Sequence, residues 1–446
     1  MLKIVRTVLM VHLTLFFSVA YLTSEEKGGP SIKPNIIVIL ADDLGYADLG
    51  CQGSIQVKTP HIDSLAANGV RCTTAYVTAP QCGPSRAGLL TGVYQNRFGY
   101  ESNEQGYHPA TPVHRKVIAE YLKSAGYVTG MMGKWGAGNK FELHPPQRGF
   151  DETLWNHDGN RYFPDTPHKD DIQMRKGNKK VPLTEYSTDA FGREAVHFIH
   201  RNSERPFFLY LPFITPHVPM EAKPEDLARF ADEPNPLRRT FLAMMACLDD
   251  NVGRILEALR EKHIEDNTLI FFLSDNGGCP ENTSQNTPFS GTKSQMLEGG
   301  IRVPFIAQWK GRIPKGKIYP QPIISLDIVP TALASAGVNI DPAWQIDGVN
   351  LLPHFEGKTN SAPHEYLYWR FNFPGNKPEQ HSWAIIQGHW KLVKNGWAKA
   401  PVALYNLEVD LLEKVNLINK EPERVKTMQA AWDIWNTKNI APAKVK

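Results

Sequence analysis

Cysteine is scarce in this chain, with five among 446 residues. Their spacing makes no disulfide framework, and once Cys82 is set aside, Cys51, Cys72, Cys247 and Cys279 allow three connectivities between which the sequence does not choose. Charge of one sign is also lacking. Lys and Arg total 49 against 46 Asp and Glu, a formal net charge of +3, which is too small for a nucleic-acid partner but leaves room for a locally basic cleft. Long apolar runs are missing beyond the first 20 residues. There Lys3 and Arg6 precede an apolar run from Val8 to Ala20 that ends in the small residues Ser18-Val19-Ala20. This reads as a secretory signal over 1–20, too short for a membrane span. No cysteine follows to receive a lipid. Residues 21–34, polar with Gly28-Gly29-Pro30, read as a flexible leader. The expectation is an exported protein, periplasmic or secreted, with no stable membrane insertion after cleavage. Repeats and low-complexity tracts are absent, and 41% hydrophobic with 21% charged residues excludes wholesale disorder and a multi-span membrane protein. A chain of this length can bury one large core and a smaller second one.

The core is written in short continuous apolar runs: Asn35 to Leu40, Tyr127 to Met132, Pro206 to Leu211, Thr268 to Leu273 and Val303 to Trp309. Such runs are strands covered on both faces. Val70 to Val77 reads as a further strand. Between them lie helical patterns at Thr59 to Ala66, Val113 to Ala125, Thr188 to Asn202, Leu237 to Lys262 and Leu326 to Ala336. Alternation of this kind predicts an α/β fold with a doubly wound, mostly parallel sheet. Phe141 to Pro182 reads as an irregular segment in which Arg161, His168, Lys169 and Arg175 are candidates for a substrate cleft or a solvated surface. After Gly357 the texture changes to short strands at Tyr366 to Phe371, Ser382 to Gln387, Trp390 to Val393 and Ala403 to Leu407, then a helix from Val425 to Trp435. This predicts a smaller antiparallel sheet with a closing helix. The aromatics there, Trp369, Phe371, Phe373, Trp383, Trp390 and Trp397, suit a small core, with stacking on sugar rings as the alternative for some of them. The expected division is a catalytic domain over 35–362 and a C-terminal α+β subdomain over 363–446.

Chemistry gathers where the strands end. Asp42-Asp43 follows the first strand and Asp275-Asn276 follows the Thr268 strand. In open α/β sheets ligands bind at that edge, and hard oxygen donors suit Ca²⁺ or Mg²⁺. One Asp-Asp pair alone usually marks a solvated turn; Asp249-Asp250, inside the long helix, reads as structural. Cys82-Gly83-Pro84-Ser85-Arg86 places a cysteine at the mouth of a helix, with Pro84 in the first turn. A helix N-terminus attracts an anion, and Arg86 adds a planar fork suited to a tetrahedral oxyanion. Lys134 in Gly-Lys-Trp, His217 between two prolines, and Lys293 near a glycine-rich run complete the candidates. Taken alone, a cysteine is more often a buried structural residue.

The run Cys82-x-Pro84-Ser85-Arg86, with Thr91-Gly92 at fixed spacing, resembles the signature of the type I sulfatases of the alkaline phosphatase superfamily. The resemblance extends over nearly the whole mature chain. It implies that a formylglycine-generating maturation enzyme converts Cys82 to formylglycine, whose hydrate is the nucleophile. It further implies that Asp42, Asp43, Asp275, Asn276 and the modified Cys82 hold one divalent cation, Ca²⁺ with Mg²⁺ as the alternative. Arg86 would steady the hydrate, Lys134 would contact it and the sulfate, and His217 with Lys293 would bind sulfate and protonate the leaving alcohol. The implied activity is sulfuric ester hydrolysis. The export signal and the long polar loop favour a sulfated carbohydrate, such as a polysaccharide-derived oligosaccharide, as substrate.

One position departs from the family pattern. Where Gly-Lys-Trp-His is usual, this chain has Gly133-Lys134-Trp135-Gly136, so the base for the second half-reaction is missing there. His144 and His157 downstream are candidate replacements. Two alternatives therefore stand beside the sulfatase reading: a phosphoester hydrolase of the same superfamily, and an impaired sulfatase kept as a glycan-binding protein. Against the first, the superfamily's phosphatases carry Ser or Thr at the nucleophile position and use two metals.

Overall fold

The computed structural model describes residues 33–103, 110–157, 161–165, 174–372, 377, 380–396 and 400–442. The signal and nearly all of the leader, together with His168, Lys169, Phe373 and Trp397, lie outside the described residues. Among the described residues ten strands form one sheet, in the spatial order Lys317–Tyr319, Val70–Cys72, Phe305–Gln308, Thr268–Ser274, Asn35–Ala41, Phe207–Pro212, Val128–Lys134, Glu152–Asn156, Met174–Lys176, Lys179–Val181. The five from Thr268–Ser274 to Glu152–Asn156 run parallel, and Phe305–Gln308 and Met174–Lys176 run opposite to them, each antiparallel to both of its neighbours.

Asn35–Ala41 shows why the central runs are continuously apolar. Ile36, Val38 and Leu40 belong to the core on one face, with helices Cys82–Thr91, Ile118–Ser124 and Ile328–Ser335. Ile37, Ile39 and Ala41 belong to the core on the other, with helices Pro60–Ala67, Ser187–Asn202 and Pro236–Glu261. Side chains alternate across a strand, so a strand covered twice needs an apolar residue at every position. No helix among the described residues is long and apolar enough to cross a membrane.

Register then places the chemistry. Leu40 pairs with Leu273 and with Pro212, and Ala41 pairs with Ser274. The chain leaves all three strands at one level, which brings Asp42-Asp43, Asp275-Asn276 and the loop to His217 to the same edge. Asp249 is structural, as its sequence context indicates: its carboxylate accepts the backbone N–H groups of His61 and Ile62 at 3.1 and 2.8 Å, closing the first turn of Pro60–Ala67.

A second sheet of four antiparallel strands, Leu367–Phe371, Ser382–Gln387, Trp390–Lys394 and Ala403–Asn406, packs with helix Pro422–Thr437. Its core holds Trp369, Phe371 and Trp383 together with Tyr76, Met296 and Ile301 from the main body.

Three local expectations change. The helix expected from Val113 begins only at Ile118, because the Glu120 side chain folds back to accept the Val117 N–H at 2.7 Å and ends it there. Val70 to Val77 breaks into Val70–Cys72 and Ala75–Tyr76. The segment from Phe141 contains three strands of the large sheet, Glu152–Asn156, Met174–Lys176 and Lys179–Val181, and in the first of them Thr153, Trp155 and Asn156 are buried. Within that segment Arg161 donates to the Phe163 carbonyl and Arg175 lies over Trp155.

Candidate active site

Cys82 opens the helix Cys82–Thr91, all ten residues of which are buried. Burial pushes its thiol up. Asp42, Cys82 and Asp275 offer ligand atoms that all lie within 4.8 Å of one another. Arg86, fully buried one turn along, holds both carboxylates: Nε and Nη2 reach Asp275 Oδ2 at 2.8 and 2.7 Å, and Nη2 lies 3.1 Å from Asp42 Oδ2. Its Nη1 donates to the Lys134 carbonyl at 2.9 Å. The fork expected to face an oxyanion thus spends its donors on the acidic pair and the neighbouring strand end. Lys134, the last residue of its strand, puts Nζ 2.8 Å from Asp42 Oδ2 and 4.0 Å from Cys82 Sγ.

The other side is built on Asp43, whose backbone is left-handed at φ 62. Such a conformation costs a non-glycine residue about 1–2 kcal/mol, and the surroundings hold it. Asn282 Nδ2 and Ser284 Oγ donate to the Asp43 carbonyl at 3.1 and 2.8 Å. The turn aims the Asp43 carboxylate at Lys293 Nζ (2.8 Å), Asn276 Nδ2 (2.7 Å) and His217 Nε2 (3.4 Å). Lys293 Nζ also lies 3.3 Å from His217 Nε2, while His217 Nδ1 faces the Val218 carbonyl at 2.6 Å. This network assigns the Nδ1–H tautomer, with Nε2 accepting from Lys293. Asp43 and Asp275 share one face of the site, since the Asp43 N–H donates to Asp275 Oδ1 at 3.2 Å.

The electrostatics follow from burial against pairing. Burial would raise Asp42, yet Lys134, His217, Arg86 and Lys293 together hold its carboxyl well below the usual range. Asp275 goes the other way: burial and the Asp42 charge push it up to about 7 despite Arg86. Burial lowers His217 and would lower Lys293, but Asp43, Cys82 and Asp42 together outweigh that desolvation and raise Lys293. Two oxygens are left over: Asp42 Oδ1 and Asn276 Oδ1 are buried with no hydrogen-bond partner. Buried acceptors without donors are rare, and such a set of oxygens fits a hard cation.

The structure brings Asp42, Asp43, Cys82, Arg86, Lys134, His217, Asp275, Asn276 and Lys293 together at one sheet edge, and it shows neither Arg161 nor Arg175 among their contacts. Gly136 has φ +64 and donates its N–H to the His157 carbonyl at 3.0 Å, and a Cβ there would lie 3.1 Å from Arg86 Cδ. Its backbone therefore disfavours any side chain. His144 uses Nε2 on the Asn139 carbonyl at 3.2 Å and packs against Trp155; burial lowers it and pushes His157 down to about 4. Asn103, whose Nδ2 is 3.2 Å from Cys82 Sγ, escaped the sequence reading because nothing in Glu-Ser-Asn marks it.

The sulfatase family profile matches residues 34–338, and the profile of the N-sulphoglucosamine sulphohydrolase C-terminal region matches 291–435. Human N-acetylgalactosamine-6-sulfatase is 34% identical over 371 residues, covering 77% of this chain and 69% of the relative. Uncharacterized sulfatase YdeN of Escherichia coli strain K12 is 29% identical, covering 89% and 84%. Among solved structures, Ps i-CgsB in complex with k-i-k-neocarrahexaose is 36% identical with a TM-score of 0.87, covering 92% and 94%. A phosphonate monoester hydrolase of Agrobacterium radiobacter, at 20% identity and a TM-score of 0.67, shares the fold alone. With the profile over most of the sheet and a cysteine, not a serine or threonine, at the mouth of the buried helix, the chain belongs to the sulfatase family and is a sulfatase enzyme.

Proposed function

We propose that this chain is an exported, formylglycine-dependent sulfatase that removes sulfate from a sulfated oligosaccharide. The observation that carries the reading is the convergence of Cys82, Asp42 and Asp275 within 4.8 Å beside two buried, unpartnered oxygens. Asp42, Asp43, Asp275 and Asn276 would hold Ca²⁺, or Mg²⁺ in its place, together with position 82. When present, the cation would polarise sulfate oxygens and the hydrated aldehyde would supply the attacking hydroxyl. The chain's own residues do the rest. Lys134 and Lys293 flank position 82 and would stabilise charge on the sulfate oxygens. Arg86 keeps Asp42 and Asp275 in place. Lys293, held between Asp43 and His217, would carry the proton that the leaving oxygen needs, with His217 Nε2 accepting a hydrogen bond from its ammonium and fixing its direction. The catalytic unit would span 35–362, with 363–446 as the C-terminal subdomain.

The neocarrahexaose in the related structure supports a sulfated galactan fragment as substrate, and the N-acetylgalactosamine-6-sulfatase relatives support a glycosaminoglycan fragment. The test is protein made beside a maturation enzyme and screened for sulfate release from both classes, before and after chelation and re-addition of Ca²⁺ or Mg²⁺. The mass of the peptide bearing position 82 reports conversion of thiol to aldehyde. A fully active protein with unmodified Cys82 overturns the reading. Gly136 favours one second reading, a sulfatase stalled after the first transfer that serves to bind glycan. Its mark is one equivalent of released alcohol per converted enzyme with no further turnover, and replacing His144 or His157 would then change nothing.

A further inference from the structure

The short loop after the nucleophile helix returns to the site and presses on its first turn. Asn103 Oδ1 accepts the Gly83 backbone N–H at 3.1 Å, which fixes the amide's orientation and leaves Nδ2 to donate toward Cys82 Sγ at 3.2 Å. That donor is nearer to Sγ than Lys134 Nζ at 4.0 Å. The approach depends on glycine at 83, where a Cβ would lie 2.1 Å from Tyr100 Oη and 2.7 Å from Asn103 Oδ1. The Asn103 backbone is held in turn. Its N–H donates to Gln81 Oε1 at 2.8 Å, Gln81 Nε2 donates to Ser294 Oγ at 3.1 Å, and the Ser294 N–H donates to the Pro80 carbonyl at 2.8 Å. The bracket thus joins the residues before Cys82, the Asn103 loop and the loop carrying Lys293.

We infer that Asn103 is a catalytic residue: its amide N–H binds the nucleophilic oxygen at position 82 and holds it in the attacking orientation. The inference rests on the sulfatase reading, in which Cys82 Sγ stands in for one hydroxyl oxygen of the hydrated aldehyde. A neutral amide suits this task because it orients the oxygen without adding charge to a crowded ionic site. Its acceptor half is already committed to Gly83, so the donor half cannot turn away. The same hydrogen bond favours the hydrate over the free aldehyde, since only the hydrate presents a tetrahedral pair of hydroxyls there.

The test uses Asn103→Ala and Asn103→Asp in the full chain made beside a maturation enzyme. Aspartate keeps an acceptor for the Gly83 N–H but loses the donor, so a merely structural role predicts that it rescues. The expected result is that both variants convert Cys82 as fully as the parent by mass, melt like it, and lose about 100-fold in kcat with KM changed by less than about 3-fold. Both should also label faster with an aminooxy probe, because more of position 82 is free aldehyde. Parental kcat and labelling rate in Asn103→Asp overturn the inference while leaving the sulfatase reading intact. Should either variant melt early, Asn103→Gln displaces the same amide by one methylene, and full activity there overturns it equally. A parent protein with neither aldehyde nor desulfation removes the reading itself and the inference with it.

Discussion

Charge is buried in two places in this protein, and the two differ in what their oxygens have left over. At the sheet edge Asp42, Asp43 and Asp275 meet Arg86, Lys134 and Lys293, and Asp42 Oδ1 and Asn276 Oδ1 still lack a partner. Where the small sheet meets the large one, Glu298 and Glu413 meet Lys391 and Arg302. Lys391 Nζ lies 2.9 Å from both carboxylates, Tyr76 Oη and Arg302 Nη1 reach Glu298 Oε2 at 2.9 and 3.1 Å, and the Glu298 N–H donates to Glu413 Oε2 at 2.7 Å. Here every carboxylate oxygen lies within 3.1 Å of a donor, Glu413 Oε1 through its ion pair with Lys391 although it makes no hydrogen bond, whereas Asp42 Oδ1 and Asn276 Oδ1 have neither. Both clusters carry the desolvation cost of buried ions. The junction spends its charges on each other and fixes how two sheets dock. The sheet edge keeps acceptors in reserve, and that reserve, rather than the number of charges, separates a site from a joint.

The largest test of this contrast is Cys82→Ala. Turnover should fall about 10⁴-fold or more, the scale of losing a nucleophile, while the melting temperature stays near the parent's, since a small thiol replaced by methyl leaves the paired charges in place. Strong destabilisation would mean that the edge too is a joint. Next comes Lys391→Met, which strands two buried carboxylates. Urea unfolding should show a loss of about 3–5 kcal/mol, with sulfate release per folded molecule unchanged. A variant as stable as its parent would show that the junction charges are dispensable.

The pH dependence sharpens the same point. Burial and the Glu298 charge push Glu413 up to about 7 against Lys391. A carboxyl raised on folding contributes stability that is complete below its unfolded pKa, near 4.5, and lost as pH rises through 7. Relative to Glu413→Gln, the parent should therefore lose stability between pH 5 and 8, as read from unfolding midpoints; parallel curves would refute the assignment. The smallest effect is expected at Gly136→His. Its left-handed backbone and the 3.1 Å approach to Arg86 Cδ should cost about 1–2 kcal/mol, with no gain in sulfate release. A faster enzyme would mean that the position tolerates a base after all.

The sequence made the edge legible because its residues sit beside strong patterns. Asp42-Asp43 and Asp275-Asn276 terminate apolar runs, and Cys82 lies in a signature. The junction was not legible. Lys391 and Glu298 are 93 residues apart, Glu298 and Glu413 115 apart, and each reads as an ordinary surface charge until the two sheets meet. Asn103 was hidden for a related reason: its role depends on how a loop returns to the helix, which no periodicity encodes. Glu152–Asn156 was masked by the polar texture around it, and Glu-Thr-Leu-Trp-Asn carries no apolar alternation that would have marked it. The Ile118 helix was overdrawn at its start because its apolar pattern runs past the Glu120 cap.

The register that gathers the site also sets a clock. Asn35–Ala41, in the middle of the sheet, is the first strand to be synthesised among the described residues, but the partners on its two sides are Phe207–Pro212 and Thr268–Ser274. Asn35 is 172 residues ahead of Phe207, with which it shares a hydrogen bond. At translation rates of 5–20 residues per second, that strand waits roughly 10–30 s for its first neighbour. During that interval a seven-residue strand of almost wholly apolar sequence has two open edges, the form most prone to pairing with another chain. A sheet assembled from its centre outward thus needs its earliest segment shielded for much of the time the ribosome takes to finish it.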